Sequence, residues 1–348
     1  MMQALKAHQS VQIDGDSMMG NRRPKPRVLC AGILVADIFV PPMPALPDPG
    51  ELRATDDFVL DSGGCAANVA AALARLGVPA SVTGRVGRDL FGDFVIDHLR
   101  AAGVDTDAIR RSDTLGTAKT VVLTVAGEDR RFVHTFGANA EFSAGDIDIG
   151  GIVSGDVLYL GGLLVMPSVD AGAAAALFRA ARERGAVTVL DVVVPAGDAA
   201  GAMEQLERIL PHTDYFTPNE AEARVLTGET DSLEQARRFR AAGCGAVLLT
   251  RGRHGTLLVT EKTCVEAGVY AVDFVDGSGA GDAFAAGWIA GLLEGWPLVD
   301  TLRFASAVGA SACTRLGCTT GVFTRQQALE FVAARTLELN ETMAIAPE

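Results

Sequence analysis

Basic residues are in deficit. Thirty Lys and Arg stand against 43 Asp and Glu, a formal net charge of −13 over 348 residues. Phosphate backbones attract Lys- and Arg-rich surfaces, so this balance argues against nucleic acid as the main partner. It leaves room for a small anion at one local site. Long apolar runs are also missing: Val157–Pro167 and Ala283–Leu293 each cover about eleven residues, where a membrane span takes roughly 20, and no membrane partner is expected. Six cysteines (30, 65, 244, 264, 313 and 318) contain no C-x-x-C, and the five histidines are scattered, so no zinc pattern forms. A disulfide framework does not suit a chain this long and apolar, and free thiols fit a reducing, cytoplasmic compartment. G-x-x-x-x-G-K-[ST] does not occur, which excludes a Walker-type nucleotide site.

What is present is a large apolar fraction, 49%, with only 21% charged residues, enough to bury a sizeable core. The length suits one large α/β domain or two smaller ones. Residues 1–27 mix charge, Gly, Pro and Met without an apolar signal-peptide core and read as a loose extension. Val28–Val35 reads as a buried first strand and the proline-rich Pro41–Gly50 as a loop. Residues 52–60 and 117–136 read as strands of a small separate sheet, with a hairpin turn at Gly127-Glu128-Asp129. From Val157 onward strands and helices alternate. Strands are expected at 157–160, 187–194, 215–217 and 246–250, with helices near 169–184, 203–210, 221–226 and 232–242. Such alternation implies a mostly parallel sheet covered on both faces. A hairpin at 257–260 and 264–272 would lie at its edge, followed by helices at 280–294, 298–314 and 325–336 and a tail at 337–348.

Glycine is abundant, at 39 residues, and two clusters of it carry chemistry. In Asp276-Gly277-Ser278-Gly279-Ala280-Gly281-Asp282 a strand enters a glycine-rich turn and a helix leaves it. The first N–H groups of a helix are unpaired and its dipole adds positive charge, so such an end binds anions. Asp282, on the first turn, could take a proton from an attacking hydroxyl. Small residues at 283, 287 and 291 would pack that helix against the sheet, with Phe284 and Trp288 filling the core. A dinucleotide fingerprint would need a third glycine where Asp282 stands. The second cluster, Ser62-Gly63-Gly64-Cys65-Ala66-Ala67-Asn68, also runs into a helix. Asn68 offers both donors and an acceptor to a hydroxyl-rich ligand.

These two elements, in this order and about 210 residues apart, resemble the two signatures of the ribokinase-like (PfkB) family of carbohydrate kinases. Thr217-Pro218-Asn219-Glu220-Ala221-Glu222 resembles its N-x-x-E motif, Thr250-Arg251-Gly252-Arg253-His254-Gly255 its nucleotide-side turn, and Gly137-Ala138-Asn139-Ala140 a further familial segment. The resemblance runs from about Arg27 to Thr336. It implies a three-layer α/β/α sandwich with a small β-sheet lid, in one domain over 28–336. It implies transfer of the γ-phosphoryl of ATP to a sugar-type hydroxyl, which depends on positioning and charge stabilisation. Asp282 would be the base, and the N–H groups of Gly279, Ala280 and Gly281 the anion hole. Asp37, Gly63, Gly64 and Asn68 would hold the acceptor. Asn219 and Glu222 would act near the phosphates through Mg²⁺ and its waters. Thr250, Gly252 and Gly255 would line the nucleotide, with Ser306 near adenine. Asp276, Ser278, Ala312, Arg315 and Gly317 hold the positions of a monovalent-cation (K⁺) site. Gly277 and Gly321 depart from that pattern, standing where relatives often have Thr and Ser. Cys65 replaces the Lys of ribokinases proper, which weighs against ribose.

Two other readings compete. A nucleoside kinase of the same fold would want base-stacking aromatics near the lid, and aromatic content is only 6%. A non-catalytic ligand-binding protein on this scaffold would not need an intact Asp282. Lys119 and Arg131 flank the lid, where they could meet an acidic substrate or simply face solvent. The alternating apolar strand at 120–125 has a face to cover, which points to a homodimer through the lid.

Overall fold

The structure, a computed structural model, describes residues 27–128, 130–195 and 201–343. The expected extension at 1–26, the last hairpin-turn residue Asp129 and the end of the tail at 344–348 lie outside the described residues. The chain begins with β1 (Val28–Gly32), β2 (Val35–Met43), β3 (Val59–Gly63), α1 (Cys65–Arg75), β4 (Ala80–Thr83), β5 (Arg85–Gly87), α2 (Leu90–Ala101), β6 (Arg110–Ser112), β7 (Ala118–Val125) and β8 (Arg131–Thr135). It continues through β9 (Val157–Leu163), α3 (Ala171–Glu183), β10 (Val187–Val192), α4 (Ala202–Ile209), β11 (Tyr215–Phe216), α5 (Glu220–Thr227), α6 (Ser232–Ala241) and β12 (Ala246–Thr250). The last elements are β13 (Thr256–Val259), β14 (Thr263–Ala267), α7 (Ala280–Leu293), α8 (Leu298–Ala312), α9 (Arg325–Ala334) and β15 (Leu339–Met343).

The main sheet has the order β15-β14-β13-β12-β11-β10-β9-β1-β4. The six strands from β12 to β4 run parallel, and β13, β14 and β15 are antiparallel at one edge. Every residue of β1 and β9 is buried, as expected of parallel strands covered on both faces. Helices α1, α7, α8 and α9 pack side by side, and α3, α4, α5 and α6 form a second group. This is the three-layer α/β/α sandwich with a mostly parallel sheet. The small second sheet has the order β3-β2-β7-β8 and is the lid.

Several boundaries differ from the sequence reading, each for a physical reason. The apolar run at 28–35 is two strands, not one: the chain crosses from β1 into the lid at Ile33 and Leu34. Asn139 fixes the crossing, its amide bonding both the N–H and the carbonyl of Leu34 at 3.1 and 3.0 Å. Pro41 and Pro42 belong to β2 rather than to a loop, at a register shift between Val40 and Met43, where a missing N–H is tolerated. Lid strand β3 begins only at Val59, since residues 51–58 have no strand assignment. Residues 339–343, read as tail, pair with β14 and cover the sheet edge. Gly287 and Gly291 face α8, not the sheet: a Cβ on them would lie 2.8 Å from Ala305 Cα and 2.7 Å from Thr301 Cγ2. Among the described residues no helix is long and apolar enough to cross a membrane.

Candidate active site

Helix α7 opens at Gly279, which has φ +72. A Cβ there would lie 2.2 Å from the Cys318 carbonyl oxygen, so only glycine lets the turn lie against residue 318. Asp282 follows on the first helical turn. On the other side, α1 opens at Gly64 and carries Asn68 on its first turns. The two helices touch, and Asn68 Nδ2 donates to Asp282 Oδ2 at 2.8 Å. Asn68 Oδ1 is buried with no partner. Asp37 lies on β2, 8% exposed, and its Oδ1 is likewise unpartnered. Gly63 makes room for it: a Cβ at 63 would lie 1.8 Å from Asp37 Oδ2. Two motifs distant in sequence thus meet and leave two hydrogen-bonding atoms unsatisfied, which a hydroxyl-bearing ligand would complete.

The acids around Asp282 shape its electrostatics. Asp191 ends β10, where it accepts from Tyr159 Oη at 3.1 Å and lies near Thr217 Oγ1 at 3.4 Å. Cys65, Asp191 and Asp282 place their ligand-type atoms within 4.8 Å of one another. Burial first, and the Asp191 charge second, push the Asp282 carboxyl far above the ordinary carboxylate range. The same two causes raise Glu222. Burial raises Asp191 itself and lifts Asp37 to about 6. The Cys65 thiol is pushed well up by burial and by both aspartates, so it is held protonated and poorly nucleophilic. Three carboxyl groups crowded this way suit a divalent cation with its waters, which would favour their ionised forms.

Asn219 and Glu222 form a reciprocal capping box on α5, with both bonds at 2.9 Å. They therefore act as a helix start, and the Asp191 and Asp282 charges add to burial in raising the Glu222 carboxyl. Thr250 is bridged to Asn219, and Gly252 and Gly255 shape the turn that follows it. Ser306, on α8, has a buried hydroxyl without a partner. Asp276 and Ser278 are bonded to each other, Ser278 N to Asp276 Oδ2 at 3.3 Å. Ala312 ends α8 and Arg315 is exposed, while Gly317 lies against Asp61. Gly321 sits on the Ser311 and Ala312 carbonyls, 2.6 and 2.8 Å from the position of an added Cβ, which leaves no space for serine without a shift.

Sequence reasoning missed three residues here. Arg130, in the lid hairpin directly before β8, places Nη1 2.9 Å from Ser278 Oγ and 3.7 Å from Asp276 Oδ1. Neither of the lid cations named from sequence does so. Arg131 pairs with Glu128 at the surface, and Lys119 donates to the Thr117 carbonyl at 2.9 Å. Asp191 carried a signal, an acid at the carboxyl end of a central parallel strand, where α/β sites form. Asp61, on β3, is the third.

If Asp282 is the base, kcat/KM for the acceptor at saturating Mg-ATP should rise with pH as the carboxyl ionises. Asp191 raises the proton affinity of Asp282, so Asp191→Asn should move that rising limb to lower pH. An unmoved limb in initial-rate pH profiles would remove Asp191 from this role.

A family model described as pfkB family carbohydrate kinase matches residues 25–325. Ribokinase from Haemophilus influenzae is 27% identical, over 83% of this chain and 93% of its own. A 5-dehydro-2-deoxygluconokinase from Clostridium perfringens is 26% identical, over 81% of this chain and 87% of its own. Among solved structures, Arabidopsis thaliana ribokinase complexed with ribose and ATP superposes with a TM-score of 0.71 at 25% identity, covering 88% of this chain and 98% of that one.

Proposed function

The chain belongs to the pfkB family of carbohydrate kinases, and from that premise we propose that it transfers the γ-phosphoryl of ATP to a hydroxyl of a sugar or sugar derivative. The observation that carries this reading is the Asn68–Asp282 contact, which joins the acceptor-side helix to the glycine-rich phosphate turn. Asp37 and Asn68 bind acceptor hydroxyls through their unsatisfied oxygens, in the space left by Gly63 and Gly64. Asp282 accepts the proton of the attacking hydroxyl. The N–H groups of Gly279, Ala280 and Gly281, at the positive end of α7, hold the phosphoryl oxygens as charge develops. Arg130 adds a guanidinium from the lid side, next to Ser278.

Mg²⁺, when bound, would supply charge neutralisation at the phosphates, and Glu222 and Asn219 are the residues that would hold it. Thr250, Gly252, Gly255 and Ser306 line the nucleotide. Asp276, Ser278, Ala312, Arg315 and Gly317 are the candidate K⁺ group. A cytoplasmic location fits the free thiols. The single domain expected over 28–336 extends to 343, where β15 completes its sheet. The test is ADP release across a panel of ketoses, aldoses, sugar acids, sugar phosphates and nucleosides, with and without K⁺. Ribose and 5-dehydro-2-deoxygluconate should be among them. ATP turnover that no sugar stimulates would sink the reading; stimulation only by nucleosides would replace the acceptor class.

The lid supports a homodimer. Leu60, Ile38, Val121 and Val133 form one register row across its four strands. Leu60 is 40% and Val133 64% exposed. A second copy would cover this apolar row. Light scattering at working concentration should give twice the chain mass, and a monomeric mass would count against the contact.

A further inference from the structure

The lid's opposite face carries a second buried acid that the reading above does not use. Here the rows alternate as a pleated sheet requires. Val59, Phe39, Val122 and Phe132 form an apolar row, and Asp61, Asp37, Thr120 and His134 form the polar row beside it. Asp61 stands directly opposite Asp37. Carboxylates so paired have Cβ atoms only about 4.5–5.5 Å apart and repel each other unless one is compensated.

The fold compensates Asp61. Its Oδ2 accepts from Cys318 N at 2.9 Å and Thr319 N at 3.3 Å. Its Oδ1 accepts from Ser62 N at 2.8 Å and lies 3.2 Å from His98 Nε2 on α2. Asp37 is served less: the Thr120 hydroxyl and, at 3.5 Å from Oδ2, the Cys318 thiol bond to it, and its Oδ1 has no partner.

The turn that Asp61 holds touches both sides of the cleft. Cys318 and Leu316 pack with Phe39 and Val122 on the inner lid face. The Cys318 carbonyl lies directly behind Gly279, while its thiol reaches Asp37. We propose that Asp61 is a positioning residue for phosphoryl transfer. By pinning residues 316–319 it fixes, through Cys318, both the acceptor carboxylate Asp37 and the backing of the anion hole at Gly279. Asp61 itself touches neither substrate. An amide in its place keeps one accepting oxygen where the carboxylate has two, so it cannot serve Ser62 N and the N–H groups of Cys318 and Thr319 together, and the weakened turn then drifts away from Gly279 and Asp37 together.

This inference rests on the kinase reading for its kinetic test but has a second readout that does not. Asp61→Asn should lower kcat about tenfold and raise the acceptor KM about tenfold, with Mg-ATP affinity within about twofold. Cys318→Ala removes only the thiol, so it should raise the acceptor KM about fivefold with a much smaller change in kcat, and Cys318→Ser should restore KM because its hydroxyl can donate again. Alkylation by iodoacetamide, followed by peptide mass spectrometry, reads the turn without any substrate. Cys318 should react about tenfold faster in Asp61→Asn, while Cys30 and Cys244, buried in the main core, stay as slow as in the parent, the mark of a local opening. Parent-like kcat and KM in Asp61→Asn would overturn the proposal, as would Cys318 and Cys244 becoming reactive together. If no acceptor stimulates ADP release, the kinase reading fails, and the alkylation rates still decide whether Asp61 pins the turn.

Discussion

Asp282→Asn should lower kcat by about 10²–10⁴-fold, the usual contribution of a positioned general base, while Mg-ATP binding is largely kept. The amide preserves size, and its oxygen can still accept from Asn68 Nδ2, so the contact between α1 and α7 survives. What disappears is the ability to take the hydroxyl proton. Stability should move the other way. The native carboxyl is held far above its ordinary value by burial and by Asp191, so the folded state favours the protonated acid. As pH rises through the ordinary carboxylate range the unfolded chain ionises first, and the native state is penalised from there upward. The neutral amide escapes that penalty. At neutral and alkaline pH the variant should therefore show a Tm equal to or above the parent's, the signature of a site whose charge is kept for function. Initial rates, ATP titration and thermal melts on the two proteins check all three parts. Near-normal turnover in the variant would remove Asp282 from the role of base.

The phosphate side was readable in sequence because its logic is local. A glycine-rich turn, the start of a helix and an acid on its first turn all lie within residues 276–282, and no distant partner is needed to see an anion site; the strand expected to lead into the turn is not there, since β14 ends at Ala267. The parallel sheet was readable for a similar reason: strands and helices alternate, and the strands are mostly apolar. The lid was only half visible. Residues 35–40 continue the apolar run of β1, so nothing in the pattern says that the chain changes sheets at Leu34. That crossing depends on Asn139, 105 residues away. The roles of Asp61 and Cys318 were invisible because they arise from register. Asp61 faces Asp37 only after β2 and β3 have paired, and it meets Cys318 across 257 residues. Arg130 follows the same rule, since its contact with Ser278 spans 148 residues. Glu222 shows the converse case. Its spacing to Asn219 reads equally as a capping box and as a phosphate-side pair, and the structure has it capping α5 while the Asp191 and Asp282 charges help to raise its carboxyl.

Gly279→Ala should lower kcat by about 10²–10³-fold, as when an anion-hole donor is lost. Two costs coincide at this position. The residue sits at φ +72, a left-handed conformation that costs an alanine roughly 1–2 kcal/mol. The added methyl would also lie 2.2 Å from the Cys318 carbonyl oxygen and 2.8 Å from its carbon. Both are backbone atoms, and Asp61 holds the N–H of the same residue, so the 316–319 turn cannot yield cheaply. The first turn of α7 must move instead, and the N–H groups of residues 279–281 lose their common aim. Gly281→Ala separates strain from chemistry. Nothing lies within 4 Å of a Cβ at 281, so that variant should melt like the parent, whereas Gly279→Ala should melt lower. The acceptor KM should change less than kcat in Gly279→Ala, because Asp37 and Asn68 are not displaced directly and the lost interaction is one that strengthens in the transition state. A kcat within about threefold of the parent, at whatever Tm, would mean that the phosphoryl group is not held by the head of α7.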